Sequence, residues 1–380
     1  MTSRRQWHLS TLTALVGAVL LAACGGGGGD GPSVSRVISF GDSLSDLGTY
    51  APATQIPLGQ AAGVSPFFGG RFTTNNHTDY TLTGSNTNIA TIWVESVAAR
   101  VGVPITQAAG GFAGNEVLCP VATRIPALAT SCTGYGQGGS RVTDPNGIGK
   151  TGGALTVPVV TQMSRHITRF GSYRADEVVL VWAGNNDVFT QLGAVGLGLP
   201  PATAIANLQT AATQLATLVK EQVLAKGASR VAVLNLPDYA ILPGFLAAPA
   251  PTRALLTQMA TEFNASLTAG LAGTNVLMID VRTLISAIAA QPATYGFVNV
   301  TTAACDPAKI SVVTRGRVTD GSSLFCNAAT GQTFNTLRTG ASTSTWAFAD
   351  GVHPTPGGHK VVSDLVITRM KDAGWIPANQ

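Results

Sequence analysis

The sequence predicts an α/β protein built on a central parallel sheet, and three observations carry that prediction. Short runs of residues apolar on both faces recur along the chain and stop abruptly at Gly, Pro or Asp, as buried parallel strands do. Long helical patterns separate those runs, which is the signature of βαβ units with right-handed crossovers. Two of the strand ends carry the most unusual polar clusters in the chain, and ligands of such sheets gather outside the carboxyl ends of the strands.

Taken in order, the chain opens with a targeting segment. Arg4 and Arg5 precede an almost wholly apolar stretch from Leu12 to Leu21. That stretch is too short to span a bilayer, which takes about 20 apolar residues, so residues 1–23 read as a signal peptide. Leu21-Ala22-Ala23-Cys24 follows, then the glycine run Gly25 to Gly29. This resembles the lipobox of bacterial lipoproteins, in which the cysteine becomes the lipidated first residue. Residues 24–33 would then be a flexible tether. The plainer alternative is an ordinary signal peptide with an incidental Cys24. The cysteine, its small neighbours and the tether together favour the lipoprotein. By the same resemblance, Gly rather than Asp after Cys24 favours the outer membrane, with a periplasmic or secreted protein as the alternative.

Residues 34–380 read as one domain. Its strands are Val34 to Phe40, Glu177 to Ala183, Arg230 to Leu236 and Asn275 to Asp280, and its helical patterns are Val157 to Arg169, Thr203 to Lys226 and Thr252 to Leu271. Long insertions fall at about 50–80, 105–150 and 296–345. Four cysteines remain after Cys24: Cys119, Cys132, Cys305 and Cys326. An even number in an exported chain suggests two disulfides. Three pairings are open, and Cys119–Cys132 with Cys305–Cys326 is the simplest. Metal ligation is the weaker alternative, because there is no CxxC or HExxH and neither pair has a His at ligand spacing.

Composition excludes several classes. Of 380 residues, 45% are apolar and only 11% charged, against about a quarter in an ordinary domain, so the chain is neither disordered nor strongly charged. Without Arg4 and Arg5, 21 Lys and Arg face 19 Asp and Glu, a net charge near +2. No basic run offers a nucleic-acid partner an electrostatic footprint.

The residues able to do chemistry come in four blocks. Gly41-Asp42-Ser43-Leu44-Ser45-Asp46 directly follows the first strand, so Ser43 can stand exposed at the sheet's edge; a helix-capping Asp or Ser is the plain alternative. The α/β-hydrolase elbow GxSxG is absent, which removes the main support for that fold. Near the other end stands Asp350-Gly351-Val352-His353-Pro354, where an aspartate three residues before a histidine can orient its imidazole as a base. Of the other histidines, His8 leaves with the signal, His77 sits in a polar loop, His166 lies in a helical pattern, and His359 reads as a surface residue of the last helix. Gly184-Asn185-Asn186-Asp187 and Gly134-Tyr135-Gly136-Gln137-Gly138-Gly139-Ser140 offer amides suited to an oxyanion hole, though such clusters also make ordinary turns.

Together the four blocks resemble the GDSL, or SGNH, family of serine esterases and lipases, in the family's chain order from Phe40 to His359. The resemblance implies a flavodoxin-like three-layer α/β/α fold. It also implies Ser43 as nucleophile, His353 as general base and acid, and Asp350 as its orienter. The Ser43 amide, a second-block glycine amide and the Asn186 side chain would form the oxyanion hole. Gly139 is the choice in the second block and Gly138 its close rival. Within the family the chain is similar to the secreted phospholipase-like branch, with two departures. Thr49 follows Gly48 where that branch often has Asn, and Gly134-Tyr135-Gly136 stands where Asn-Tyr-Ala is common. The activity implied is carboxylic-ester hydrolysis on lipid-like or other hydrophobic esters, with no cofactor and no metal. The alternatives are an acyltransferase using the same triad and a non-catalytic surface lipoprotein, and the presence of Ser43, Asn186, Asp350 and His353 speaks against the last.

Overall fold

The computed structural model describes residues 33–54, 70–76, 88–329 and 334–379. The signal segment, Cys24, most of the tether and His77 lie outside them. Six parallel strands form the main sheet: β1 (Arg36–Gly41), β2 (Thr106–Gln107), a later β5 (Cys132–Gly134), β6 (Glu177–Trp182), β7 (Arg230–Leu234) and β8 (Leu277–Ile279). Between β2 and β5 lies an antiparallel hairpin of β3 (Ala109–Phe112) and β4 (Asn115–Leu118). Sheet order is β2-β5-β1-β6-β7-β8. After β1 the chain fills one side of that strand and then crosses to the other, which makes the carboxyl end of β1 a topological switch point.

The α-helices are α1 (Trp93–Arg100), α2 (Val159–Phe170), α3 (Asn185–Gly196), α4 (Pro201–Leu218), α5 (Ala250–Leu271), α6 (Val281–Ala290), α7 (Pro307–Val313), which lies away from the sheet, and α8 (Pro356–Asp372). The regular helix α4 gives way to a π-turn and a 3-10 turn that carry the helical path on to Lys226. The C-terminal helix α8 starts cleanly, because Thr355 Oγ1 accepts from the Gly358 amide at 3.2 Å and Pro356 occupies the first turn.

The predicted strands are present; β1 starts two residues later and ends one later than expected, and the other three are shortened. β1 and β6 are covered on both faces: Val37, Ile38 and Phe40 are fully buried, as are Val178 to Val181. The two strands run in register from Arg36↔Glu177 to Gly41↔Trp182. Arg36 neutralises the buried Glu177 at 3.0 Å. At the last pair, a Cβ on Gly41 would lie 2.2 Å from the Trp182 carbonyl oxygen, so only glycine permits the approach. β8 departs from the fully buried expectation, since Leu277 and Met278 are half-buried at the edge of the sheet.

Two expectations need correction. The 105–150 stretch is not merely an insertion, because it supplies β2 and β5 and so completes one side of the sheet. His359 is not on the surface; it is fully buried in α8 on one stripe with Val362, Ser363, Val366 and Met370.

The disulfides are Cys119–Cys132 and Cys305–Cys326, with Cα atoms 5.4 and 5.8 Å apart. The second lies in the 296–345 stretch, within a small separate core of Ala304, Cys305, Ile310, Cys326, Leu337 and Ala349. Among the described residues no helix is long and apolar enough to cross a membrane.

Candidate active site

All four sequence blocks meet at the carboxyl ends of β1, β5 and β6. Ser43 sits one residue beyond Asp42, which caps the turn Ser43–Ser45 by accepting from the Leu44 amide at 3.1 Å. The capping expected of this block therefore falls to Asp42, and the Ser43 hydroxyl turns to His353. His353 Nε2 lies 2.8 Å from Ser43 Oγ. On the other side of the ring, His353 Nδ1 lies 2.8 and 2.9 Å from the two carboxylate oxygens of Asp350. Serine hydroxyl, imidazole and carboxylate thus stand in one hydrogen-bonded file, joining positions 310 residues apart.

The Asp350 carboxylate is held from every side. The amides of Val352 and His353 donate to its Oδ1 at 3.0 and 2.8 Å, and the Ser323 amide donates to its Oδ2 at 2.9 Å. Burial alone would raise its pKa. The His353 charge and these donors outweigh burial and hold the carboxyl well below the usual range. Burial likewise opposes a charged His353, but Asp350 overcomes it by charge and hydrogen bond, so the imidazole titrates above its ordinary value.

Three further aspartates tie the blocks together. Asp42 Oδ2 accepts from Asn185 Nδ2 at 2.8 Å, and Asn185 Oδ1 accepts from the Tyr239 hydroxyl at 2.7 Å. Asp46 receives the Gly48 and Thr49 amides on one oxygen and the Gly138 amide, at 2.8 Å, on the other. Asp187 takes the Val142 amide at 3.0 Å and Arg141 Nε at 3.1 Å. Burial pushes the Asp42 and Asp46 carboxyls up to about 6, against hydrogen bonds that pull the other way. These linkers went unread in the sequence, although each sits inside a block and three buried aspartates need donors.

The amide-bearing blocks divide their work. Asn185 is occupied with Asp42 and Tyr239, whereas Asn186 Nδ2 makes one bond, to the Ser140 carbonyl at 2.9 Å. Gly138 has its N–H on Asp46. Gly139 adopts φ +80°, and a Cβ there would meet the Ile148 carbonyl oxygen at 2.0 Å.

Beside Ser43 and His353 opens a narrow pocket, walled by apolar side chains that include Leu44, Trp182, Phe189, Leu242 and Ile285. Phe72 packs its ring against His353 with centroids 5.1 Å apart. Of the remaining histidines, His166 is stacked at 4.5 Å on Tyr173 and bordered by Phe40, Tyr135 and Phe170. Burial drives its pKa down to about 3. Burial, with the neighbouring His353 charge, does the same to His359. Among the described residues, no group of three or more His, Cys, Asp or Glu could hold a metal ion.

A parallel α/β sheet whose strand ends gather a hydroxyl, an imidazole, a carboxylate and an apolar pocket is the architecture of an SGNH hydrolase. A model of the GDSL-like lipase/acylhydrolase family matches residues 37–366, and the chain belongs to that family of ester-acting hydrolases. A comparison with curated proteins gave no match.

Proposed function

We propose that the protein is a carboxylic-ester hydrolase working through an acyl-enzyme on Ser43. The observation that carries this is the 2.8 Å contact between Ser43 Oγ and His353 Nε2, with Asp350 behind the ring. His353 takes the Ser43 proton as Oγ attacks the ester carbonyl. The tetrahedral oxyanion is met by the amides of Ser43 and Gly139 and by the Asn186 side chain. Gly139 is preferred to Gly138 because the Gly138 amide already donates to Asp46. Losing one such donor costs about 100- to 1000-fold in rate. His353 then protonates the leaving alcohol, and it activates water to hydrolyse the acyl-enzyme.

The apolar pocket suits the acyl chain of a hydrophobic ester, which supports a lipid-like substrate and a place in the phospholipase-like branch. Export by residues 1–23 and anchoring through a lipidated Cys24 at the outer membrane complete the proposal, on the strength of the lipobox-like sequence.

Hydrolysis of p-nitrophenyl esters from acetyl to palmitoyl, by the protein freed of its tether and by Ser43→Ala, tests the mechanism. Activity that disappears in the variant is the expected result, and the chain-length profile separates esterase from lipase. A variant that keeps its activity would remove Ser43 as nucleophile. A folded but inactive wild type would shift the proposal to acyl transfer, tried next with acceptor alcohols.

A further inference from the structure

His353 and Asp350 are each braced by a segment that belongs to none of the four blocks. Residues 70–76 place the Phe72 ring on His353, and Thr73 Oγ1 donates to the Pro354 carbonyl at 2.9 Å. The loop ending at Cys326 brings the Ser323 amide to Asp350. These two braces are joined through one residue. Asn75 is fully buried. Its Nδ2 lies 3.2 and 3.1 Å from the carbonyls of Ser323 and Cys326, and 2.9 and 3.1 Å from those of Arg71 and Thr73. Its Oδ1 accepts from the Arg71 amide at 3.0 Å and from Asn88 Nδ2 at 2.7 Å. Its backbone donates to the Cys326 carbonyl at 3.0 Å and accepts from the Ala328 amide at 2.7 Å. The Cys305–Cys326 disulfide anchors the same loop at Cys326.

The geometry points to Asn75 as a positioning residue for the His353–Asp350 pair, acting through the Ser323 amide on one side and the Phe72 ring on the other. The inference rests on the ester-hydrolase function proposed above. A side chain that only filled space here would not need donors and acceptors shared between two segments about 250 residues apart in sequence. When the Ser323 amide withdraws, the Asp350 carboxylate loses one donor and becomes more basic. It then holds the imidazolium more tightly, and His353 stays protonated to a higher pH. The Cys305–Cys326 bridge serves the same end by fixing where Ser323 sits.

The test compares wild type, Ser43→Ala, Asn75→Ser and Cys305→Ala/Cys326→Ala in the same ester assay, with circular dichroism and thermal melts reporting the folded fraction. Wild-type activity absent from Ser43→Ala secures the underlying function, and failure of that control overturns the function instead of the inference. Per folded molecule, Asn75→Ser is expected to lose about 10- to 100-fold in kcat, as small misplacements of reacting groups do, with KM changed less than about 3-fold. The acid limb of its kcat/KM profile moves to higher pH. A folded Asn75→Ser with kcat within about two-fold of wild type and an unmoved limb would overturn the inference. Where Asn75→Ser does not fold, the double cysteine variant is judged by the same two results. If neither folds, the inference is also overturned, because Asn75 and the bridge would then be required for the fold itself.

Discussion

At the scale of single residues, the structure separates two uses of a buried titratable group. Buried Asp350 and half-buried His353 form a pair, and each holds the other in its charged form. The pair therefore has a kinetic signature: the acid limb of kcat/KM lies above 6.5, the ordinary imidazole value, because His353 must shed a proton that Asp350 retains. Asp350→Asn is expected to bring that limb down and to cut kcat per folded molecule by about 10³- to 10⁴-fold, and also to lower the melting temperature at neutral pH, because the charge that His353 and the amides stabilise is gone; full turnover in this variant would remove Asp350 from the machinery. His166 is buried without a charged partner. Its folded pKa of about 3 lies below the ordinary 6.5, so between those values the unfolded chain binds a proton that the folded protein refuses. Its contribution to stability is present above pH 6.5 and is lost as pH falls through that window. His166→Phe removes two ring nitrogens that lack hydrogen bonds and keeps an aromatic ring in an aromatic cage. Melts at pH 7 and pH 4.5 should show a variant at least as stable at pH 7, with its advantage growing in acid; a variant that melts lower at both values would contradict this.

At the scale of elements, legibility in the sequence followed the strength of the local pattern. β1, β6 and β7 could be read because apolar runs such as Val178–Trp182 ended at Gly, Asn or Pro, and the polar residues after β1 and β6 were those of the site. β5 and β2 could not be read. Three and two residues long, they carry no period of their own and become strands only because the edge of β1 and then of β5 pairs with them. His359 was misplaced because it was judged by polarity, when its spacing of three, four, seven and eleven residues from Val362, Ser363, Val366 and Met370 set it on the apolar stripe of α8. The bracing residues Asn75 and Ser323 were out of reach, since nothing in their local sequence shows which distant segment they will meet. The junction of β1 and β6 depends on one small residue. Gly41→Ala would push a methyl group into the Trp182 carbonyl and is expected to cost about 2–3 kcal/mol, read as a lowered urea midpoint. A midpoint equal to wild type would show that the strands part without strain.

At the scale of the whole molecule, the two disulfides differ in what they secure. Cys119–Cys132 closes a span of 13 residues at the β2–β5 side of the sheet and touches none of the site's groups. Its removal in Cys119→Ala/Cys132→Ala is expected to lower stability by about 3 kcal/mol in the chain-entropy account and to leave kcat per folded molecule within about two-fold. A large loss of kcat in that variant would mean that this bridge also reaches the site. The long-range connection that matters most is not covalent. Ser43 stands near the start of the described residues and His353 close to their end, 310 positions apart. During synthesis at about 5–20 residues per second, roughly 15–60 s separate the emergence of the one from that of the other. On the mechanism proposed above, a growing or truncated chain therefore carries an inert alcohol in place of a nucleophile, and the capacity to cleave an ester arrives only once His353 has joined it.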